Sequence, residues 1–167
     1  DDPTNYWNNI TATIGTSDSG QLPNVVTIAN LPTTVGLSMI RRFNGANENG
    51  TLTSTLFPAD ATRDSLYGNT ELWGGLTDIF PSFKLTGLNV SMTYNLMFYA
   101  SRTGVGDNRE TGYSVVGSSS NFVAFNAANN SNGFTNATGI APSAGGEITI
   151  SLAPTTANNN VYHFTYL

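Results

Sequence analysis

Residues 92–117, MTYNLMFYASRTGVGDNRETGYSVVG, decide the fold class. Met92, Tyr94, Leu96, Phe98 and Ala100 alternate with Thr93, Asn95, Met97, Tyr99 and Ser101. A period of two puts one row of apolar side chains on a single sheet face. The run Gly104-Val105-Gly106-Asp107-Asn108-Arg109 follows, and then a second alternating stretch with Thr111, Tyr113 and Val115 in register. Gly and Asn accept positive φ cheaply, so this loop is expected to reverse the chain and let the two runs pair as a hairpin at the sheet centre. Arg102, Asp107 and Arg109 crowd the turn of a chain that is otherwise poor in charge.

Outward from this stretch, the same texture continues. Val35, Leu37, Met39 and Phe43 share a face, with Arg41 intruding and therefore expected near a strand end, where its head can reach solvent or a carboxylate. Val25 to Ile28 reads as a short strand between loops, and residues 5–14 as a β-prone opening. Glu147 to Leu152 is the cleanest alternation, and Tyr162, Phe164 and Tyr166 line one face of a last strand. Leu96, Phe98, Tyr113, Ile148, Ile150 and Phe164 are expected to share one core. Residues 44–51 read as a loop. The one helix candidate lies at 58–67, a short turn near 59–66 with Asp60 as its cap. The long segment at roughly 58–80 is expected to cover a sandwich edge or form a functional surface. About nine short strands separated by Gly, Pro and Asn clusters predict an all-β, antiparallel β-sandwich in a single domain over residues 1–167. A chain of 167 residues is long enough to bury its own core without disulfide or metal.

Composition narrows the function classes. Charged residues make up 10% of the chain, against roughly 25% in an average soluble domain, while 39% are hydrophobic. That mixture argues for a folded β-protein and against disorder. The net charge is −5, and the one adjacent basic pair, Arg41-Arg42, should point to opposite strand faces, so no nucleic-acid footprint is expected. No apolar run approaches the length of a membrane-spanning helix. Asp1-Asp2-Pro3 fits either the start of a processed chain or a cut from a longer one, and the Asn/Thr richness with a single Lys tilts the reading toward export. The absence of cysteine leaves the compartment open. Five N-x-S/T sequons, at Asn9, Asn49, Asn89, Asn129 and Asn136, follow from the same richness.

The motif F-Y-A-S-R-T-G-V-G-D-N-R-E-T-x-Y-x-V-x-G at 98–117 resembles a β-sandwich module of secreted, multidomain bacterial proteins. The likeness extends to N-Y-W-N-N-I-T at 5–11, F-P-A-D-A-T-R-D-S-L-Y-G-N at 57–69, A-G-G-E-I-T-I at 144–150 and F-T-Y-L at 164–167. Such proteins also carry esterase, glycosidase or sorting segments. The resemblance implies a jelly-roll of carbohydrate-binding type, at the cell surface or outside the cell.

Catalysis is not expected. The lone histidine, His163, lies among aromatics, no G-x-S-x-G elbow is present, and no two carboxylates fall in a recognisable motif. The candidate ligand contacts are Trp73, Trp7, Asn8, Tyr67, Arg102, Asp107, Asn108 and Arg109. Trp7 is either a sugar-stacking platform or a plug at one end of the sandwich. At the turn, Asp107 either bridges Arg102 or Arg109 to lock the hairpin, or the cluster meets sugar hydroxyls. Asp18/Ser19 and Asp107/Asn108 are oxygen-rich enough to suggest a structural Ca²⁺, without EF-hand spacing. Two functions follow from different classes. One is a non-catalytic carbohydrate-binding module of an exported protein, with a polysaccharide or glycan as partner. The other is a structural or adhesive subunit that self-associates or docks on neighbouring domains. A binding module should expose its tryptophans along a groove, and a building block should bury both.

Overall fold

Alternating burial organises the chain around residues 148–154, where Ile148, Ile150 and Leu152 are buried and the residues between them are half-buried. The computed structural model describes residues 6–167; the Asp1-Asp2-Pro3 start and Asn5 beside Trp7 lie outside the described residues. In chain order the elements are α1 (Ala12–Gly15), β1 (Gln21–Leu22), β2 (Gly36–Arg41), β3 (Gly45–Asn47), α2 (Ala59–Arg63), β4 (Ser65–Gly68) and β5 (Ser82–Thr86). Then come β6 (Tyr94–Phe98), β7 (Glu110–Val116), β8 (Ser120–Asn126), β9 (Thr135–Ile140), β10 (Ile148–Pro154) and β11 (Thr165–Tyr166). They form a six-stranded sheet β1-β2-β5-β10-β7-β8, a three-stranded sheet β11-β4-β3 and a two-stranded sheet β6-β9. Every ladder between these strands is antiparallel, as an all-β sandwich requires. These pairings do not by themselves establish the double Greek key of a jelly-roll.

The expected central hairpin does not form. β6 pairs with β9, and β7 lies between β10 and β8 with β5 and β10 at the sheet centre. The two runs instead face each other across the sandwich: the Phe98 and Tyr113 rings stack at 4.5 Å and 12°. Tyr94, Leu96, Phe98 and Ala100 turn to the buried side while Met92 is exposed before β6 begins, but a face does not name the neighbouring strand. The loop after β6 carries the chain away, because Arg102 N–H bonds Ala127 O at 2.8 Å and bridges to Ala128.

The main core holds Leu37, Met39, Phe83, Phe98, Tyr113, Val115, Ile148 and Ile150, with Leu96 partly buried against it. Phe164 leaves the expected set. It belongs to a second cluster with Ala100, Ala127 and Tyr166, flanked by Tyr67 and Tyr162. The β2–β5 ladder slips between Met39 and Arg41, and this bulge turns Arg41 outward from the apolar row. β2 ends there, so Arg42 is no longer on a strand.

Local readings shift at several points. The helix shrinks to residues 59–63 with Pro58, not Asp60, at its N-cap, and Tyr67 lies on β4. Residues 12–15 are helical where a β-prone run was expected, because Thr11 Oγ1 accepts the Ile14 N–H. Gln21–Leu22 and Gly45–Asn47 are short strands in segments read as loops. Val25 to Ile28 makes a single bridge, Val26 to Pro32, framed by Thr27 N–H to Leu31 O and Thr33 N–H to Val25 O; the ladder goes no further because the Val25 N–H skips to Val35 O.

Candidate functional site

The long segment after β4 is an arm over residues 69–79. Asn69 and Ile79 exchange backbone bonds at its foot, and Trp73 and Leu76 exchange them at its tip, at 2.9 and 3.0 Å. Between the latter, Gly74 and Gly75 have φ of +60 and +82. Positive φ at both central residues is the primed turn that suits a right-twisted hairpin. Buried Asn69 stiffens the arm from within: its Nδ2 donates to Glu71 O and Leu76 O, and its Oδ1 accepts from Asn44. Asn44 Nδ2 also holds Trp73 O at 2.9 Å.

Trp73 is thus fixed at the tip, the residue 40% exposed. Beneath it lie Tyr162 at 4.7 Å and Phe164, edge-on, at 5.4 Å. Phe164 in turn meets Tyr67 at 5.5 Å and Tyr166 at 6.1 Å. The buried Arg109 guanidinium lies 5.5 Å from the Phe164 ring centre and donates to Tyr166 Oη at 2.6 Å. Asp107 receives Arg109 Nε at 2.9 Å and Nη2 at 3.3 Å, and Asn160 Nδ2 as well. One continuous stack therefore runs from Asp107 through Arg109, Tyr166 and Phe164 to Trp73. It joins Trp73, Tyr67, Asp107 and Arg109, four of the sequence candidates.

Its electrostatics follow from this wiring. The Arg109 hydrogen bond holds the Asp107 carboxyl below its usual range, with Asn160 helping and burial opposing. Burial would lower the Arg109 pKa, but the bonds and charges of Asp107 and Tyr166 outweigh it. Burial pushes the Tyr166 phenol up against the pull of Arg109 and Arg102. The carboxylate partner of the turn is Arg109 rather than Arg102, whose Nη1 bonds Thr103 O. Asn108 is spent on the loop itself: its Oδ1 takes the Glu110 N–H, and its backbone trades bonds with Asn159.

Trp7 and Asn8 stand apart from this stack. Asn8 Oδ1 and Nδ2 pair with the N–H and C=O of Val26 at 2.8 and 2.7 Å, standing in for a strand neighbour. Trp7, 50% exposed, meets Phe57 edge-on at 6.2 Å, and Phe57 meets Tyr99. His163 has a φ of +47 and bonds Thr70 Oγ1 through Nδ1 at the foot of the arm.

At both places proposed for Ca²⁺ a carboxylate oxygen already accepts a hydrogen bond, with an arginine alongside. Asp18 Oδ1 accepts the Arg42 N–H, and Asp107 is saturated by donors beside a guanidinium that would repel a cation. No cluster of three His, Cys, Asp or Glu occurs among the described residues. These donor sets do not fit the ion.

No family model, curated protein or solved structure matches this chain. Function is therefore argued from the site alone. The sequence missed Asn44, Asn69 and Asn160 as its scaffold, since an asparagine in a loop carries no mark of a distant backbone partner. The alternation of Tyr162, Phe164 and Tyr166 was the one signal for the ring stack.

Proposed function

We propose that the chain is a non-catalytic carbohydrate-binding module of an exported protein, acting outside the cell or at its surface, with Trp73 as the sugar platform. One observation carries the reading: a half-exposed tryptophan held rigidly at the tip of a braced arm by two rings beneath it. Pyranose C–H faces are apolar and flat, so a fixed indole gains stacking energy without ordering cost. The Tyr162 hydroxyl and Asn44 Oδ1, neither bonded among the described residues, supply polar groups near the ring for hydroxyls. His163 Nδ1 bonds the Thr70 hydroxyl, but among the described residues no carboxylate bonds the ring to complete a hydroxyl–imidazole–acid relay, which fits a binding role better than catalysis.

Calorimetry against plant, algal and microbial polysaccharides tests this. Binding is expected to vanish in Trp73→Ala with the melting curve retained, and Trp7→Ala should keep it. A panel without any binding, or binding unchanged in Trp73→Ala, would end the Trp73 reading.

A second reading, a structural or adhesive subunit, is favoured by β6. Among the described residues this strand pairs with β9 alone, and its Leu96 and Phe98 line a cleft of about 250 Å³ together with Phe83, Leu85, Ile150 and Leu167. An unpaired edge above apolar floor suits strand addition by a neighbouring subunit. Sedimentation of the purified chain as a concentration-independent monomer would remove that support.

A further inference from the structure

At the foot of the arm lies a second hollow, of about 170 Å³, lined by Asp18, Arg41, Arg42, Ile79 and Phe80. The two arginines were expected on opposite faces. The bulge in β2 and the strand's end at Arg41 bring both to one side. Arg41 places its guanidinium 5.8 Å from the Phe80 ring centre and donates from Nη2 to Asp78 O at 3.2 Å. Arg42 donates from Nε to Phe43 O at 3.0 Å and from Nη2 to Asn44 O at 3.4 Å. Its backbone N–H goes to Asp18 Oδ1 at 2.7 Å.

Among the described residues neither guanidinium has a carboxylate within ion-pair distance, whereas Arg63, Lys84 and Arg109 all do. Arg102 also bonds a carbonyl, Thr103 O, so three of the 6 basic residues have no carboxylate partner among the described residues, and Arg41 and Arg42 are the two of them that line one hollow. Most of their N–H donors remain unspent, in the planar fork that fits carboxylate or sulfate. Phe80 and Ile79 add an apolar wall, and Asp18 an acceptor for a hydroxyl.

We infer that this hollow binds the anionic group of an acidic sugar, a uronate carboxylate or a sulfate ester, with the ring against Phe80. The inference rests on the carbohydrate reading and gives its ligand class: an anionic glycan. The hollow and Trp73 share one scaffold, because Arg42 holds Asn44 O while Asn44 Nδ2 holds Trp73 O. A net charge of −5 repels a polyanion at long range, so recognition has to be local. At physiological salt, with a screening length of about 8 Å, such local pairing survives.

The test is calorimetry at physiological salt with tetragalacturonate, a sulfated galactan tetrasaccharide and neutral mannotetraose, on wild type, Arg41→Gln, Arg41→Lys and Trp73→Ala. Arg41 is the residue to vary because it is exposed, whereas Arg42 also holds two backbone carbonyls. Wild type should bind at least one anionic tetrasaccharide about ten-fold tighter than the neutral one, the scale of a charge-assisted hydrogen bond. Preference for tetragalacturonate alone assigns a carboxylate, and for the sulfated sugar alone a sulfate. Arg41→Gln should erase the preference while melting as wild type, and Arg41→Lys should keep part of it. Equal affinity for neutral and anionic sugars, or an unchanged preference in Arg41→Gln, overturns the inference. Loss of all binding in Trp73→Ala with Arg41→Gln unaffected would keep the platform and sink the anion site. The reverse pattern would keep the anion site and sink the platform.

Discussion

Asp107 accepts three side-chain bonds, two from Arg109 and one from Asn160. Asn160 Oδ1 in turn accepts the backbone N–H groups of Tyr162 and Phe164, the rings under Trp73. Removing this carboxylate leaves a buried guanidinium without its counter-charge. Asp107→Ala should lower stability by about 1–3 kcal/mol in urea unfolding; an unchanged midpoint would mean that the carboxylate does not lock the loop. The same wiring sets a pH response. A carboxyl with a depressed native pKa contributes stability that is complete above its unfolded value, about 3.9, and drains away as pH falls through the lower native one. Tyr113 and Tyr166 act on the alkaline side. Burial raises both phenols, so their contribution is present below about pH 10 and is lost as the pH climbs further. Wild-type melting temperature should fall at both limits, and Asp107→Asn should flatten the acid limb. An acid limb as steep in Asp107→Asn as in wild type would assign that limb to other carboxylates.

At the scale of elements, the 69–79 arm depends on its two-residue turn. A Cβ on Gly75 would meet no atom within 4 Å, yet the residue sits at φ +82. Substitution there is therefore costly through the backbone alone. Gly75→Val should destabilise the arm by about 1–2 kcal/mol, the cost of a left-handed conformation for a side chain. Gly74→Asn should be tolerated, since asparagine visits that region and Asn-Gly is a favoured primed turn. The readout is Trp73 fluorescence in a Trp7→Phe background. Emission shifting red with Gly75→Val and staying put with Gly74→Asn is the expected pair. A shift in neither would mean that the Tyr162 and Phe164 contacts alone hold the indole.

Across the whole molecule, the Phe98–Tyr113 stack joins the β6–β9 layer to the six-stranded sheet. Phe98 is buried, so Phe98→Ala should cost about 3–5 kcal/mol in chemical unfolding. A loss below 1 kcal/mol would show that the layers are held by other contacts. Tyr113 adds a tie in another direction, since its hydroxyl donates to Tyr166 O at 2.7 Å. Tyr166 in turn belongs to the cluster that supports Trp73, and so the stability of the main core and the stiffness of the candidate site share a residue.

What the sequence determined by itself is the faces of its strands. Period-two alternation marked Leu37 and Met39, Leu96 and Phe98, and Ile148 and Ile150 as inward, and all six lie in or against the main core. Side-chain direction in an extended chain is a local property, which is why it was legible. The 69–79 hairpin was not legible, because Trp73-Gly74-Gly75 reads as irregular chain and the bonds that close its tip join backbone groups, which carry no side-chain signature. Nor was pairing. Alternation says which way a strand faces but not which edge it joins, so β6 found β9 rather than β7. Tertiary contacts also decided the use of polar side chains: Asn8 completes Val26, Asn69 braces the arm, and Asp107 chooses Arg109 over Arg102. One inserted residue in β2 brought Arg41 and Arg42 to a common hollow, against the strand rule that would separate them. Polar side-chain bonds leave no periodic trace in a chain whether their partners are two positions away, as for Asp107 and Arg109, or 25, as for Asn44 and Asn69, and only the assembled sheets fix which partner is within reach.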